Sequence, residues 1–472
     1  METLTPDLCV IGAGAGGLSV AAGAARLGAS VVLIEKGAMG GDCLNFGCVP
    51  SKALLAAGAA AQAMREAGRF GLRAVEPRAD WAQVRAHVKG AIAAIAPMDS
   101  QARYEGMGVR VIRAHARFAD PRTLEAGGVA VRARRFVIAT GSAPATPPIP
   151  GLELVRFLTN ETVFDLETFP TRLIVLGGGA VGVEMAQAFR RLGSEVVIIE
   201  AERALAREDP EMARVALDAL RREGVELREN ARVTRLEPHG AGLRAILPHA
   251  AFEDHIDGSH LLIATGRRPN VDNLGLERAG VRYGPEAIAV GRDMRTSNRR
   301  IYAIGDAAGG QATHAASHHA TVVLKRALFR LPAKANPAIV PRVVYTEPEL
   351  ASVGLSEAQA RAGRRRIRVL RFAVASADRA ETEARRSGHI KVVTDAGGEI
   401  LGCAIAAHGA ADLIAPWGLA IGKGLKIDAL ANLVAPYPTL SEISRRAAIE
   451  FYAEKLDGPL ARLGLRLARM LG

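Results

Sequence analysis

Two cysteines, Cys43 and Cys48, are separated by four residues in the segment Gly40 to Lys52, which reads GGDCLNFGCVPSK. A thiol pair this close can cycle between dithiol and disulfide, supply half of a zinc site, or lie buried as two core thiols. Zinc takes about four ligands, usually from two such pairs. The other cysteines, Cys9 and Cys403, sit in apolar strand-like runs and read as core. Redox exchange is therefore the favoured chemistry. On an ideal helix these two positions point roughly 140° apart, so a bridge needs a distorted turn. Gly47 is expected to supply backbone latitude there, and Pro50 tolerates only the start of a helix. A helix beginning at this point would lower the pKa of a thiol at its N-terminus.

The elements around this pair form a repeat. An apolar run from Cys9 leads into G-x-G-x-x-G at Gly12, Gly14 and Gly17, an alanine-rich helical stretch follows, and a second apolar run, Val31 to Ile34, ends in Glu35. This predicts a β-α-β unit in which the glycines admit a pyrophosphate, the helix N-terminus faces it, and the acid holds a ribose diol. The unit recurs 165 residues later, with Gly177, Gly179 and Gly182 followed by Glu200; in both copies the first glycine and the acid are 23 residues apart. One such glycine pattern is a weak signal, whereas two with matched strands, helix and terminal acid are strong. A smaller repeat supports them: Arg135 to Gly141 and Leu261 to Gly266 each read as a buried strand ending in Ala-Thr-Gly, and a Pro-rich linker, Pro144 to Pro150, follows the first. Two dinucleotide sites on one chain predict one tightly held and one exchanging cofactor, the logic of a flavin and a nicotinamide.

Composition agrees with a large enzyme. The chain has 472 residues and is 49% hydrophobic, enough for about three domains with full cores. Lys+Arg minus Asp+Glu is 61 − 49 = +12. The arginines are scattered and aromatic residues make up only 4%, so the charge reads as a basic surface and not as a nucleic-acid site. Four cysteines exclude a disulfide scaffold and point to a reducing, cytoplasmic compartment. The uncharged stretch Leu8 to Ala25 is about long enough to span a bilayer, but its glycines belong to the nucleotide turn, so no membrane span is expected.

With these motifs in place, the chain resembles the flavin-dependent pyridine nucleotide–disulfide oxidoreductases, the family of dihydrolipoamide dehydrogenase, glutathione reductase and mercuric reductase. The resemblance covers essentially the whole chain. Besides the cysteine segment and both β-α-β units, Thr296 to Asp306 looks like the family's second flavin motif, and Val343 to Glu349 with Val353-Gly354 looks like the start of its dimerisation domain. It implies an α/β fold of two Rossmann-like FAD and NAD(P) domains plus an α+β C-terminal dimerisation domain: FAD segments at 1–152 and 271–338, an NAD(P) domain at 153–270 and an interface domain at 339–472. It implies a redox-active Cys43–Cys48 disulfide, with Cys43 as the interchange thiol and Cys48 as the thiolate in charge transfer with the flavin. Lys52 would sit near flavin N5 and pair with Glu184. Asp306 would contact the ribityl chain. Ala116, Thr140 and Gly141 join Gly12, Gly14, Gly17 and Glu35 as FAD positions, and Gly266 joins Gly177, Gly179, Gly182 and Glu200 as NAD(P) positions. No resident metal is implied.

Two positions discriminate within the family. Members that use NADPH commonly replace the acid at the end of the second unit; Glu200 here favours NAD(H), with Arg203 keeping NADP(H) as the minority reading. Lipoamide dehydrogenases and glutathione reductases carry His-Pro-Thr-x-x-Glu across the dimer, where the histidine shuttles the thiol proton. This chain reads Tyr437-Pro-Thr-Leu-Ser-Glu442. Tyrosine titrates near ~10 against ~6.5 for histidine and is a poor base at neutral pH. Packing at the interface is the bland reading of Tyr437, and His314, His318 and His319 are candidates for a substitute base. Mercuric reductases resemble the chain at this position, and a soft metal ion held by two thiolates needs no thiol proton shuttle. The stretch Arg466 to Gly472 carries no cysteine pair, and no metal-binding domain precedes the first unit, which argues against a detoxifying mercuric reductase. The expected protein is thus a homodimeric NAD(P)H–FAD oxidoreductase, mercuric reductase-like, whose acceptor is a disulfide or a soft metal ion. The alternatives are a dihydrolipoamide dehydrogenase with a relocated proton shuttle and a flavin-containing binding protein without cysteine chemistry.

Overall fold

The computed structural model describes residues 2–248, 253–310, 312–363, 366–456 and 459–470. The chain forms two compact units. The first comprises Met1–Glu66, Ala74–Ala201 and Val225–Ala335; the second comprises Ala67–Arg73, Glu202–Gly224 and Asn336–Gly472.

Two parallel sheets dominate the first unit. One has strands Ile301–Ala303, Arg135–Ile138, Leu8–Ile11, Val31–Glu35 and Arg110–Arg113 side by side, all parallel. Its central strands are continuous apolar runs because both faces are covered: Leu8 and Val10 pack with Leu18 and Val323 of two helices, and Cys9 and Ile11 pack with Phe118 and Leu124 of antiparallel strands; Leu8–Ile11 is buried at every position. The helix Ala15–Arg26 carries the chain from strand Leu8–Ile11 to strand Val31–Glu35 and packs beside Thr313–Phe329. The other sheet orders Glu226–Arg228, Glu195–Ile199, Arg172–Leu176 and His260–Ile263, again all parallel, with helix Ala180–Leu192 as the crossover. The two β-α-β units read from the sequence are therefore both present.

The second unit is built differently. Five antiparallel strands, Arg342–Val344, Glu349–Gly354, Ile400–Ala407, His389–Asp395 and Ile367–Ala373, form one sheet. Its core gathers Ile390, Val392, Ile405 and Phe451 around the fully buried Trp417, whose indole N–H donates to the Ser444 hydroxyl at 3.1 Å. Helix Pro210–Arg222 belongs to this unit and packs on the same sheet. Lys391, buried on strand His389–Asp395, holds it there through Asp209 at 2.9 Å and Glu211 at 2.8 Å, and it also reaches Glu357 at 2.8 Å. A mixed α/β architecture with an α+β second unit is what the motifs require.

Candidate active site

The glycine turns of the two parallel sheets are copies in space as well as in sequence. Gly12 and Gly177 have φ of +104° and +107°, a region that favours glycine. A Cβ on Gly12 would lie 2.3 Å from the Ala139 carbonyl, and one on Gly177 would lie 2.4 Å from that of Ala264. These two alanines open the Ala-Thr-Gly ends at Thr140-Gly141 and Thr265-Gly266, so the smaller repeat abuts the larger one. Gly17 and Gly182 would each drive a Cβ to 1.9 Å from the carbonyl of the turn's first glycine. Gly14 and Gly179 cap helices Ala15–Arg26 and Ala180–Leu192 with no side chain satisfying the first amides. Each turn thus presents a helix N-terminus capped by a glycine with no side-chain cap bond, which fits a pyrophosphate. Glu35 accepts the Ala13 and Gly37 amides, both at 2.6 Å, and Glu200 accepts the Gly178 amide at 2.7 Å. Each carboxylate is held at the end of its strand beside its turn. Ala116 begins strand Ala116–Asp120 and is buried in the core that also contains Ile11, Ile34 and Ile138.

The cysteine segment is fastened to the first turn. The Gly40 amide donates to Ala13 at 2.9 Å, and Gly14 bridges Gly40. Cys43 lies in the short helix Gly41–Asn45, and Cys48 begins the long helix Cys48–Glu66. Gly47 between them does not adopt a left-handed backbone. It is needed for space, since a Cβ there would sit 2.9 Å from Asp42 Oδ2 and 3.3 Å from the Cys43 Cα. Both cysteines are free thiols, and they hydrogen bond to each other. The bond from Cys43 pulls the Cys48 pKa down to about 6 against the opposing effect of burial, helped by the Thr313 hydroxyl 3.4 Å from its sulfur and by the Lys52 charge. The bond to Cys48, with burial, raises Cys43. The two shifts run in opposite directions, so the geometry favours ionisation of Cys48 over Cys43, and Cys48 stands at a helix N-terminus.

One turn along the same helix, Lys52 Nζ donates to Glu184 Oε2 at 2.8 Å. Glu184 projects from helix Ala180–Leu192, in the second nucleotide unit. The two helices approach closely at Gly58, where a Cβ would come within 3.3 Å of the Ala188 carbonyl. The bond Arg65 Nη1 to the Arg191 carbonyl, 2.7 Å, ties their far ends.

Asp306 lies in the short turn Gly305–Ala308 after strand Ile301–Ala303. Burial raises its pKa, while the Ser142 hydroxyl that donates to it and the nearby Arg267 oppose the rise. Arg267 is a residue the motifs did not single out. It bonds Ser142 through Nε at 2.7 Å, lies 3.8 Å from Asp306 and pairs with Asp42 at 3.1 Å, and so links the cysteine turn to the second flavin motif. Its place right after Gly266 was the only available signal. Of the three histidines, His319 accepts the Gly305 amide at 3.3 Å, and burial lowers its pKa.

Cys43 also lines a cavity of about 370 Å3 together with Leu18, Ala22, Val49, Tyr104 and Thr313; its lining includes the Asp99 carboxylate and no basic side chain. Tyr437 and Glu442 belong to the second unit. There the Tyr437 hydroxyl is 70% exposed as a residue and donates to Asp378 Oδ2 at 2.7 Å. That bond and the Asp378 charge raise the phenol's pKa, and Glu442 adds a smaller charge effect.

A cradle for two dinucleotides around a polarised thiol pair is the arrangement that comparison with known proteins returns. Residues 6–320 match the pyridine nucleotide-disulphide oxidoreductase family, and residues 340–448 match its dimerisation domain. A mercuric reductase of Streptomyces lividans is 37% identical over 95% of this chain and 96% of its own. A dihydrolipoyl dehydrogenase of Thermus scotoductus is 37% identical over 94% of this chain and 97% of its own. Among solved structures, the Cu(II) complex of the HOCl-induced flavoprotein disulfide reductase RclA from Escherichia coli superposes with a TM-score of 0.83 at 27% identity, covering 93% of this chain and 98% of that one. The chain belongs to the pyridine nucleotide-disulphide oxidoreductase family and is a flavoprotein disulfide oxidoreductase that depends on FAD and a pyridine nucleotide.

Proposed function

We propose that this enzyme passes electrons from NADH to a soft metal ion or another oxidant that needs no thiol proton shuttle, in preference to lipoamide. The carrying observation is Tyr437, whose proton is committed to Asp378 where lipoamide dehydrogenases place a histidine. Reducing a disulfide to two thiols consumes two protons, so it gains from an acid–base group that titrates near neutrality and can deliver them. A metal ion takes its electrons without them, and thiolate sulfur is the ligand such ions prefer. The relatives named mercuric reductase and the copper complex of the flavoprotein reductase support the same class. A cavity at Cys43 without a basic side chain has no partner for the carboxylates of glutathione disulfide.

On this reading, Gly12, Gly14, Gly17, Glu35, Ala116, Thr140, Gly141 and Asp306 hold FAD, and Gly177, Gly179, Gly182, Glu200 and Gly266 hold the nicotinamide nucleotide. A bound flavin would supply two-electron transfer between the nicotinamide and the cysteine pair. Cys48 would carry the thiolate, and Cys43 would meet the acceptor. Glu184 holds the Lys52 ammonium at its station, and Glu200 selects NADH because a carboxylate accepts a ribose diol and repels a 2′-phosphate. Residues 1–152 and 271–338 form the FAD domain, 153–270 the nicotinamide domain and 339–472 the domain through which a homodimer forms. The test is an acceptor screen with NADH offering Hg(II), lipoamide and glutathione disulfide to the holoenzyme. Turnover should be fastest with Hg(II) and should vanish in Cys43→Ser and Cys48→Ser. A second reading, dihydrolipoamide dehydrogenase, draws on the equal identity to that enzyme and the intact Pro438-Thr439 to Glu442 frame; faster turnover of lipoamide than of Hg(II) would establish it instead.

A further inference from the structure

Helix Pro459–Met470 differs from the rest of the second unit in packing and in composition. The helix before it, Glu442–Leu456, seats Ile443, Ala447, Ala448 and Phe451 in the core. From Leu463 to Met470, by contrast, every residue is exposed, including Leu463, Leu467 and Met470. A Cβ built on Gly464 meets nothing within 4 Å. Those three apolar residues follow each other at i, i+4 and i+7, so they share one helix face, while the exposed Leu465 lies on the opposite side. Arg466 and Arg469 lie together along one edge of that face, and the helix contains no acidic residue.

An exposed apolar stripe edged by guanidinium groups, with no carboxylate to balance them, matches the interface of an anionic bilayer. The leucines enter the acyl boundary, and the arginine stems lie along it while their heads reach lipid phosphates. A helix of 12 residues is about 18 Å long against about 30 Å of hydrocarbon, so it lies along the membrane and does not cross it. Covering the stripe with a second copy of the same helix would bring arginine beside arginine. Phosphatidylglycerol or a similar anionic lipid answers their charge instead. We infer that Pro459–Met470 is an interfacial helix that holds this enzyme on anionic phospholipid surfaces. The inference is independent of the electron acceptor.

The test is flotation of the full-length holoenzyme with vesicles of phosphatidylcholine alone or mixed with phosphatidylglycerol, together with the mass of the free protein by light scattering. The wild type should float with the anionic vesicles only. The pairs Leu463→Ser/Leu467→Ser and Arg466→Glu/Arg469→Glu should each weaken binding by at least about tenfold, with solution mass and turnover of a soluble acceptor unchanged. No flotation would overturn the inference. So would binding that survives the serine pair, since that reports only general attraction to a basic surface. A change of mass in either variant would overturn it in favour of a contact between copies.

Discussion

The Tyr437 hydroxyl donates to Asp378, 59 residues away in sequence and 2.7 Å away in space. The family's frame pairs its proton shuttle with the glutamate five residues on, here Glu442. In this chain Glu442 acts on the phenol only as a nearby charge. With its hydrogen donated to a carboxylate, the phenol oxygen keeps its lone pairs outward and its proton in place. Asp378→Ala should bring the Tyr437 pKa back toward about 10, read as tyrosinate absorbance against the same variant carrying Tyr437→Phe. Tyr437→His should raise lipoamide turnover at neutral pH by about 10²-fold, the scale of a restored general base. An unchanged rate would show that the position does not meet the acceptor.

The Cys48 thiolate should persist well below the ordinary thiol range. Its pKa is drawn down to about 6, so the charge-transfer absorbance of the two-electron-reduced enzyme should be full above that pH and lost as pH falls through it. Thr313→Val removes one of the groups favouring the thiolate, and the midpoint should move up. Thr313→Ser should leave it in place. Absorbance followed against pH in the three proteins decides the matter.

Glu184→Gln separates position from charge at the Lys52 contact. The Glu184 side chain is nearly buried, but that of Lys52 is 36% exposed, so water takes over part of the lost interaction. The unfolding free energy should fall by about 1–2 kcal/mol. Reduction of the bound flavin by NADH, followed by stopped flow, should slow, whereas reoxidation by the acceptor should not.

Lys391 predicts an acid-sensitive second unit. Arg371 and Lys391 hydrogen bonds hold Glu211 well below the usual carboxylate range, and Lys391 and Arg361 lower Glu357. A carboxylate whose pKa is lower folded than unfolded stabilises the fold fully above its ordinary value of about 4.3, and that contribution is lost as pH falls below it. Lys391→Met would take the ammonium from the buried Asp209, while Arg371 and Arg361 stay on the partly exposed Glu211 and Glu357, at a cost of about 2–3 kcal/mol. Denaturant unfolding at pH 7 and pH 4 should show the larger loss at pH 7.

Nucleotide choice should turn on Glu200. Glu200→Ala should raise KM for NADH and lower it for NADPH, because the carboxylate that accepts a ribose diol and repels a 2′-phosphate is gone. A wild type that already prefers NADPH would remove the basis for the NADH assignment.

Much of the site was legible because local pattern and backbone geometry coincide there. A turn that must bring Gly12 against Ala139 admits only glycine, and a strand buried on both faces admits only apolar residues. The glycine turns, Glu35, Glu200 and the cysteine pair therefore announced themselves. The role of Gly47 was misjudged: the sequence implied backbone freedom, and the structure shows close packing against Asp42 and Cys43. Arg267, Thr313 and Asp378 could not be read from the chain. Each acts through contacts with residues far away in sequence, and an arginine at the start of a short strand, or a threonine or aspartate at a helix start, has no periodicity to mark it.

The sequence by itself determined the chemistry available: two nucleotide turns, one exchangeable thiol pair, and a tyrosine where a proton shuttle would stand. Covalent spacing and hydrophobic period suffice for these, because they are properties of short segments. Tertiary structure alone decided which groups shift the two thiol pKa values in opposite directions and which carboxylate holds the tyrosine. Those outcomes depend on the field and hydrogen bonds at one atom, and they are set by groups that only the folded chain brings within about 3 Å of it.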